Sequence, residues 1–429
     1  MYPDKAKETV RSGLADAMLK EVLGVREKDL EAYKNRLLSA IDSFCSLYGK
    51  ERDVSVFSVG GRSEISGNHT DHNGGKVIAA AVGLDILAVA ATRSDGVIRV
   101  KSEGFDEDVV PPEDCAAPDP GKAFSSAALI AGVSHAYTAR GYKVGGFDAY
   151  TTSNVLKGSG LSSSAAFEVM IGKILSYFYN LNNVDTKEIA KSAKYAENVF
   201  FGKPCGLMDQ MACATGGLIT VDFAHPSDPD VRSIGFDFSS SGLSLCITNT
   251  GSSHVDLNDD YASVPAEMKK VASFFSKERL CETSESEVLS NVADLRNEVG
   301  DRAVMRALHF FEENERVEKQ VAALESGNTD EFLSLVRESG KSSFCYLQNV
   351  YSNADPSEQG TSLALCLSDG FLKDKRGAFR IQGGGFAGTI EAFIPDEYTD
   401  EYKKLTESVF GEGSCHVLSI RPAGAVKII

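Results

Sequence analysis

The stretch NVLKGSGLSSSAAFEVMIGKILSYFYNL, residues 154–181, decides the fold. Phe167, Met170, Ile171, Ile174, Leu175 and Phe178 recur at i, i+3, i+4, i+7, i+8 and i+11, the spacing of one apolar face on an α-helix. Directly ahead stand Gly158, Ser159, Gly160, Leu161 and the serines Ser162, Ser163 and Ser164, a flexible entry rich in hydrogen-bond donors. Unpaired N–H groups and the positive end of the helix dipole make such an entrance an anion site. Glycines let backbone approach closely, and hydroxyls can touch phosphate or a cation. The plainer alternative is a serine-capped helix after a loop. No GxxxxGK[ST] occurs in the chain, and the dinucleotide fingerprint does not fit.

Working outward, a strand is expected around 147–155 and a helix near 123–140. A second helix is expected over about 186–200, with Asp185 and Glu188 in capping-box spacing. Further upstream, 53–59, 77–91 and 96–101 read as strands, and the acidic, proline-rich FDEDVVPPEDCAAPDPGK (105–122) reads as loop. Residues 5–48 read as two helices, the second (28–48) carrying Leu30, Tyr33, Leu37, Ile41 and Phe44 on one face. Past about 215 come the strands LITVDF and LSLCITNT, helices over 260–276 and 300–340, and GAFRIQGGGFAGTIEAFIP, a glycine turn feeding a strand. Both periods occur throughout, so the pattern is α+β. The expected division is a helical extension over 1–50, one domain over 51–225 and another over 226–429.

Bulk properties narrow the function. At 429 residues the chain is long enough for two or three domains, and 42% hydrophobic with 24% charged residues is ordinary for a globular protein. The net charge of −17 argues against a general nucleic-acid or anionic-membrane binder. Nine scattered cysteines without a CxxC spacing suggest neither a zinc knuckle nor a disulfide framework. The first twenty residues carry Asp4, Lys5, Lys7 and Glu8 and no apolar signal core, and the run Val77–Ala91 is interrupted by Asp85 and too short to span a bilayer. A cytoplasmic protein without nucleic-acid or membrane partners is expected.

Three further segments could carry chemistry. In VGGRSEISGNHTDHNGGKVIAAAV (59–82), Arg62 precedes Asn68, His69, Asp71 and His72, all set among glycines. A solvated hairpin turn, a metal site and a sugar-holding site beside an arginine are all compatible with that composition. The two histidines could share a helix face, but Gly67 and Asn73-Gly74-Gly75 argue against a helix there. GKPCGLMDQM (202–211) places a lone carboxylate, Asp209, after a glycine-proline approach, and GGGFAG (383–388) reads alone as a tight turn.

Taken in order and spacing, GRSEISGNHTDHNGG, GSGLSSSAAFEV, CGLMDQ and GGGFAGTI resemble the motif series of the galactokinase family within the GHMP kinases, from about residue 53 to the C-terminus. The resemblance implies a two-domain GHMP kinase fold. Its N-terminal domain has a mixed sheet with helices, like the second domain of ribosomal protein S5; its C-terminal domain is ferredoxin-like α/β, and the site lies in the cleft. It also implies ATP-dependent phosphorylation of a sugar's anomeric hydroxyl, with Mg2+. On that resemblance Gly158–Ser164 would wrap the triphosphate, Asp209 would be the catalytic aspartate and Arg62 its partner. Glu197 would bind magnesium together with a hydroxyl of the serine run, Ser163 being chosen while Ser162 and Ser164 stay open. Asn68, His69, Asp71, Gly206 and Tyr261 match positions that grip the sugar. A monomer or weak homo-oligomer is expected, taking small-molecule sugar and ATP.

Three departures from that family stand out. Its first motif normally reads Gly-Glu-His-Thr-Asp-Tyr, and here Asn68 and His72 replace the glutamate and the tyrosine. Ser126 and Leu129 stand where the family commonly carries Trp and Tyr on the adenine side. Beyond Tyr261 the sequence ASVPAEMKK replaces the usual arginines. An N-acetylgalactosamine or other aldose kinase, a non-catalytic sugar sensor and another GHMP kinase are the alternatives.

Overall fold

The computed structural model describes every residue except 156–160, 227 and 252–256, together with the side chain of Asn258. Two sheets organise the chain. The larger contains β1 (Ser55–Ser66), β2 (Lys76–Thr92), β3 (Ile98–Ser102), β4 (Glu107–Val110), β5 (Phe147–Ser153), β6 (Leu218–Asp222) and β7 (Asp230–Ser233). The second holds β8 (Leu243–Asn249), β9 (Ala378–Ile381), β10 (Thr389–Pro395) and β11 (Cys415–Leu418) in the order β11-β8-β10-β9, all antiparallel. The last strand, β12 (Val426–Lys427), returns to the first sheet beside β1.

β2 is the axis of the first sheet. Its first half pairs with β1 and β6, and its second half with β1 and β5. A strand packed on both faces reads as a continuous apolar run rather than an alternation, which is why Val77–Ala91 looks greasy. One face receives the helices Ser126–Ala139 and Ser163–Tyr179, through residues such as Val133, Met170 and Ile174. The other receives the N-terminal helices Pro3–Arg11 and Leu30–Tyr48, whose Leu37, Ile41 and Phe44 pack with Val56, Leu87 and Val89. Residues 1–50 thus cover a sheet face.

Asp85, the charge that interrupts the apolar run, is buried. It accepts from Tyr33 Oη at 2.5 Å and Arg36 Nη1 at 2.5 Å, and Arg421 Nη1 lies 3.4 Å away. Burial pushes its carboxyl up, but the two guanidiniums and two hydroxyls outweigh that and hold it below its ordinary value. One carboxylate therefore ties the helix Leu30–Tyr48 and the C-terminal segment to the middle of the central strand.

The structure differs from expectation in three local features. The segment 105–122 contains β4, a short edge strand whose exposed Glu107 and Val109 give no hydrophobic alternation. Asp185 caps its helix by accepting from Lys187 N rather than through a capping box. The β6–β7 hairpin keeps the first sheet going to Ser233, past residue 225. Among the described residues no helix is long and apolar enough to cross a membrane.

Candidate active site

β1 carries register shifts at Gly60/Arg62 and at Glu64/Ser66. Such bulges re-aim side chains near sites. At the first of them Arg62 N donates to Leu161 O at 3.1 Å, so the buried end of the serine-glycine segment is fastened directly to β1. A Cβ on Gly61 would lie 2.7 Å from that same carbonyl, and only glycine permits the approach.

The Arg62 guanidinium forms a fork on Asp209, Nε to Oδ1 at 2.7 Å and Nη2 to Oδ2 at 2.6 Å. Ser162 Oγ donates to the same Oδ2. Ser162 is the N-cap of Ser163–Tyr179 and adopts a left-handed φ of 54°. Burial pushes the Asp209 carboxyl up, but the adjacent guanidinium and the hydrogen bonds from Arg62 and Ser162 prevail and hold it below the usual carboxylate value. Three segments distant in sequence thus meet at one ionised carboxylate.

Glu197 lies on the wide turn Ala196–Phe201, buried, with its Oε1 facing Ser164 Oγ at 3.2 Å and Lys203 Nζ at 3.3 Å. The hydroxyl that reaches Glu197 is that of Ser164, not Ser163. The left-handed cap at Ser162 sets which serine faces Glu197, and a row of three serines does not reveal that in sequence. Gly158, Ser159 and Gly160 lie outside the described residues.

The first-motif residues converge on the glycine turn. His69 Nε2 donates to Gly384 O at 2.8 Å, and Tyr261 Oη to Gly385 O at 2.9 Å. Burial lowers the His69 pKa to about 4, so the ring is neutral. With Nε2–H engaged, Nδ1 is the acceptor nitrogen. Asp71 faces Gly206, where an added Cβ would stand 2.8 Å from Asp71 Oδ2.

Asn68 behaves differently from its neighbours. It is fully buried, and its Nδ2 donates to Glu64 Oε1 at 2.9 Å and Gly383 O at 2.5 Å. Its Oδ1 accepts from Asn349 Nδ2 at 2.6 Å and Ser343 Oγ at 3.4 Å. An amide offers two donors and two acceptor positions, and all four are taken by the protein. Asn68 is a brace between β1 and the glycine turn.

A cavity of about 700 Å³ opens beside Ser163 and Ser164. Helix Ser126–Ala139 contributes Ser126 and Leu129, while Phe105, Phe167 and Phe201 supply aromatic surface from three other elements. The expected loss of aromatic contact at 126 and 129 is thus offset from elsewhere in the chain. Sequence reading also passed over Glu64, Glu168, Gln210 and Asn349, buried polar residues around the site. The one available signal was a glutamate, Glu168, beside the apolar stripe of its helix.

Comparison with known proteins identifies the family. Residues 42–92 match the galactokinase galactose-binding signature, and residues 125–217 match the N-terminal domain of GHMP kinases. The chain is 30% identical over 371 residues to the galactokinase of Streptomyces coelicolor, covering 86% of this chain and 92% of that protein. It is 30% identical over 370 residues to that of Bacillus subtilis, covering 84% and 90%. Its fold matches Lactococcus lactis galactokinase, solved in complex with galactose, with a TM-score of 0.76 and 24% identity, over 91% of this chain and 100% of that one. Mevalonate kinase shares the fold more distantly, with a TM-score of 0.59. With the motif series and relatives matched over most of their length in agreement, the chain belongs to the galactokinase family.

Proposed function

We propose that this chain is an ATP-dependent galactose 1-kinase with Asp209 as general base. The observation that carries the reading is the contact of Arg62, Ser162 and Asp209 at the entrance of helix Ser163–Tyr179. Phosphoryl transfer needs in-line positioning and charge neutralisation more than covalent chemistry. Asp209 accepts the proton of the anomeric hydroxyl as that oxygen bonds to the γ-phosphorus and the bond to the ADP oxygen breaks. A carboxylate paired with a guanidinium is a weak base, so Arg62 serves chiefly to aim Asp209 and to stabilise the developing alkoxide.

His69, Asp71, Gly206 and Tyr261 hold the sugar, with His69 Nδ1 and the Asp71 carboxylate accepting from its hydroxyls. Asn68 supports the turn they lean on. Leu161–Ser164, at the entrance of helix Ser163–Tyr179, face the phosphates, and the adenine enters the cavity lined by Phe105 and Phe201.

The residues fit magnesium. Glu197 and the Ser164 hydroxyl are hard oxygen donors 3.2 Å apart, with Ser163 adjacent in the chain. Among the described residues no cluster of three or more His, Cys, Asp or Glu would hold a metal alone. That suits a cation carried largely by nucleotide phosphates and water. When bound beside Glu197 and Ser164, it would supply positive charge against the phosphates. Lys203, which now pairs with Glu197, would have to yield.

A coupled ADP-release assay against galactose, N-acetylgalactosamine, glucose, mannose and fucose, with and without magnesium, tests the assignment. Galactose is expected to lead the others by about tenfold or more in kcat/KM, and only with magnesium. Sugar binding without ADP release would point to a sensor instead. Gly206→Ala is expected to raise the galactose KM about tenfold at nearly unchanged kcat, because its Cβ displaces Asp71. An unchanged KM would remove Gly206 and Asp71 from the sugar site.

A further inference from the structure

Gln210 follows Asp209 in helix Met208–Thr215 and is fully buried. Its Nε2 lies 2.8 Å from Glu197 Oε2 and 3.3 Å from Glu168 Oε2. One amide nitrogen, with two hydrogens, therefore serves two buried carboxyl groups. The Cys205 Sγ is a third neighbour, at 3.6 Å. Glu168 is fully buried on helix Ser163–Tyr179, one turn beyond Ser164. Two side-chain oxygens here are buried without a partner, Glu168 Oε1 and Gln210 Oε1. They belong to the two groups already joined by the Nε2 bond.

An ionised Glu168 leaves both oxygens orphaned, and a buried acceptor without a donor is costly. A proton on Glu168 Oε1 removes both deficits at once. The acid O–H then donates to Gln210 Oε1 while Gln210 N–H donates to Glu168 Oε2, closing an eight-membered ring. The charges nearby agree with this. Glu197 lies on the other side of the amide. Lys203 stands on the far oxygen of Glu197, and Asp209 is committed to Arg62. Burial, and then the charge of Glu197, push the Glu168 carboxyl well above its ordinary value.

We propose that neutral Glu168 and Gln210 form a cyclic acid–amide pair whose remaining N–H fixes Glu197 for the cation of the nucleotide. Both are positioning residues. The ring stops the amide from turning over, so its second N–H always meets Glu197 Oε2 and leaves Oε1 toward Ser164. Because Gln210 is the residue after Asp209, the same pair sets the spacing between the base and the cation-binding carboxylate. This role rests on the function proposed above.

The test measures Mn2+ binding in the presence of ADP by electron paramagnetic resonance, together with infrared difference spectra. Glu168→Leu is expected to weaken Mn2+–ADP binding about tenfold or more and to leave galactose binding within twofold. Glu168→Gln, whose amide N–H can also donate to Gln210 Oε1, is expected to restore it to within about threefold. The infrared spectrum at neutral pH is expected to contain a buried carboxylic-acid band that Glu168→Gln abolishes, which reads the ring even if Glu168→Leu does not fold. Wild-type affinity in Glu168→Leu, or no such band, overturns the proposal. If the wild type binds no Mn2+–ADP, the function reading and the positioning role fall together. The acid–amide pair is still decided by the band.

Discussion

Asp209→Asn is expected to lower kcat about a thousandfold while galactose affinity changes by no more than about threefold. Asparagine keeps the volume and one oxygen to accept from Arg62, so the pocket beside Gly206 and Asp71 is preserved. It cannot take a proton, and its NH2 group meets an Arg62 N–H where Oδ2 stood. The wild-type pH profile should carry the same signature. Arg62 and Ser162 hold the carboxyl below its ordinary value, so it stays ionised from neutrality downwards and loses activity only as pH falls through that depressed value. The acid limb of kcat/KM is therefore expected below about pH 4. A limb near pH 6, or near-normal turnover in Asp209→Asn, would reject Asp209 as base.

Asn68→Glu restores the residue usual in the family and is nevertheless expected to destabilise this chain by about 3 kcal/mol. Both Asn68 N–H groups point at acceptors, Glu64 Oε1 and Gly383 O. A carboxylate would confront both without a proton to give. Glu64 is already pushed up by burial, and it shares Arg380 with Glu391 at 3.4 Å to each. A further anion would have no cation of its own, and removing a donor from a buried pair strands both partners. The midpoint of chemical denaturation reports the loss. Glu64→Gln in the Asn68→Glu background is expected to recover much of it. A variant as stable as the wild type would show that Asn68 is not the brace described here.

Those two residues also show what could be read from the chain alone. The helix Ser163–Tyr179 was legible because its apolar stripe is local, and β2 because burial on both faces leaves an unbroken apolar run. The meeting of Arg62 with Asp209 was reachable only through the resemblance, since 147 positions separate them. Asn68 matched a sugar-gripping position, yet its partners Ser343, Asn349 and Gly383 lie 275, 281 and 315 positions away. No local pattern announces such contacts. Ser164 and Ser163 are equivalent in sequence, and the backbone turn at Ser162 distinguishes them. β4 was hidden because an edge strand facing solvent needs no apolar alternation.

The aromatic surface of the cavity followed the same rule. Its rings come from the turn after β3, from helix Ser163–Tyr179 and from the end of the Ala196–Phe201 turn. The helix that usually bears them in the family could therefore lose both without leaving the pocket bare.

The most direct test of a carboxylate facing the anomeric hydroxyl is the position of the transferred phosphate. Wild-type protein incubated with galactose, ATP and magnesium should yield one sugar phosphate, with phosphorus coupled to the anomeric proton in the NMR spectrum and one ADP per phosphate. Phosphate on the C6 oxygen, or ADP release without a sugar phosphate, would contradict the arrangement of Asp209, Arg62 and Ser162 proposed here.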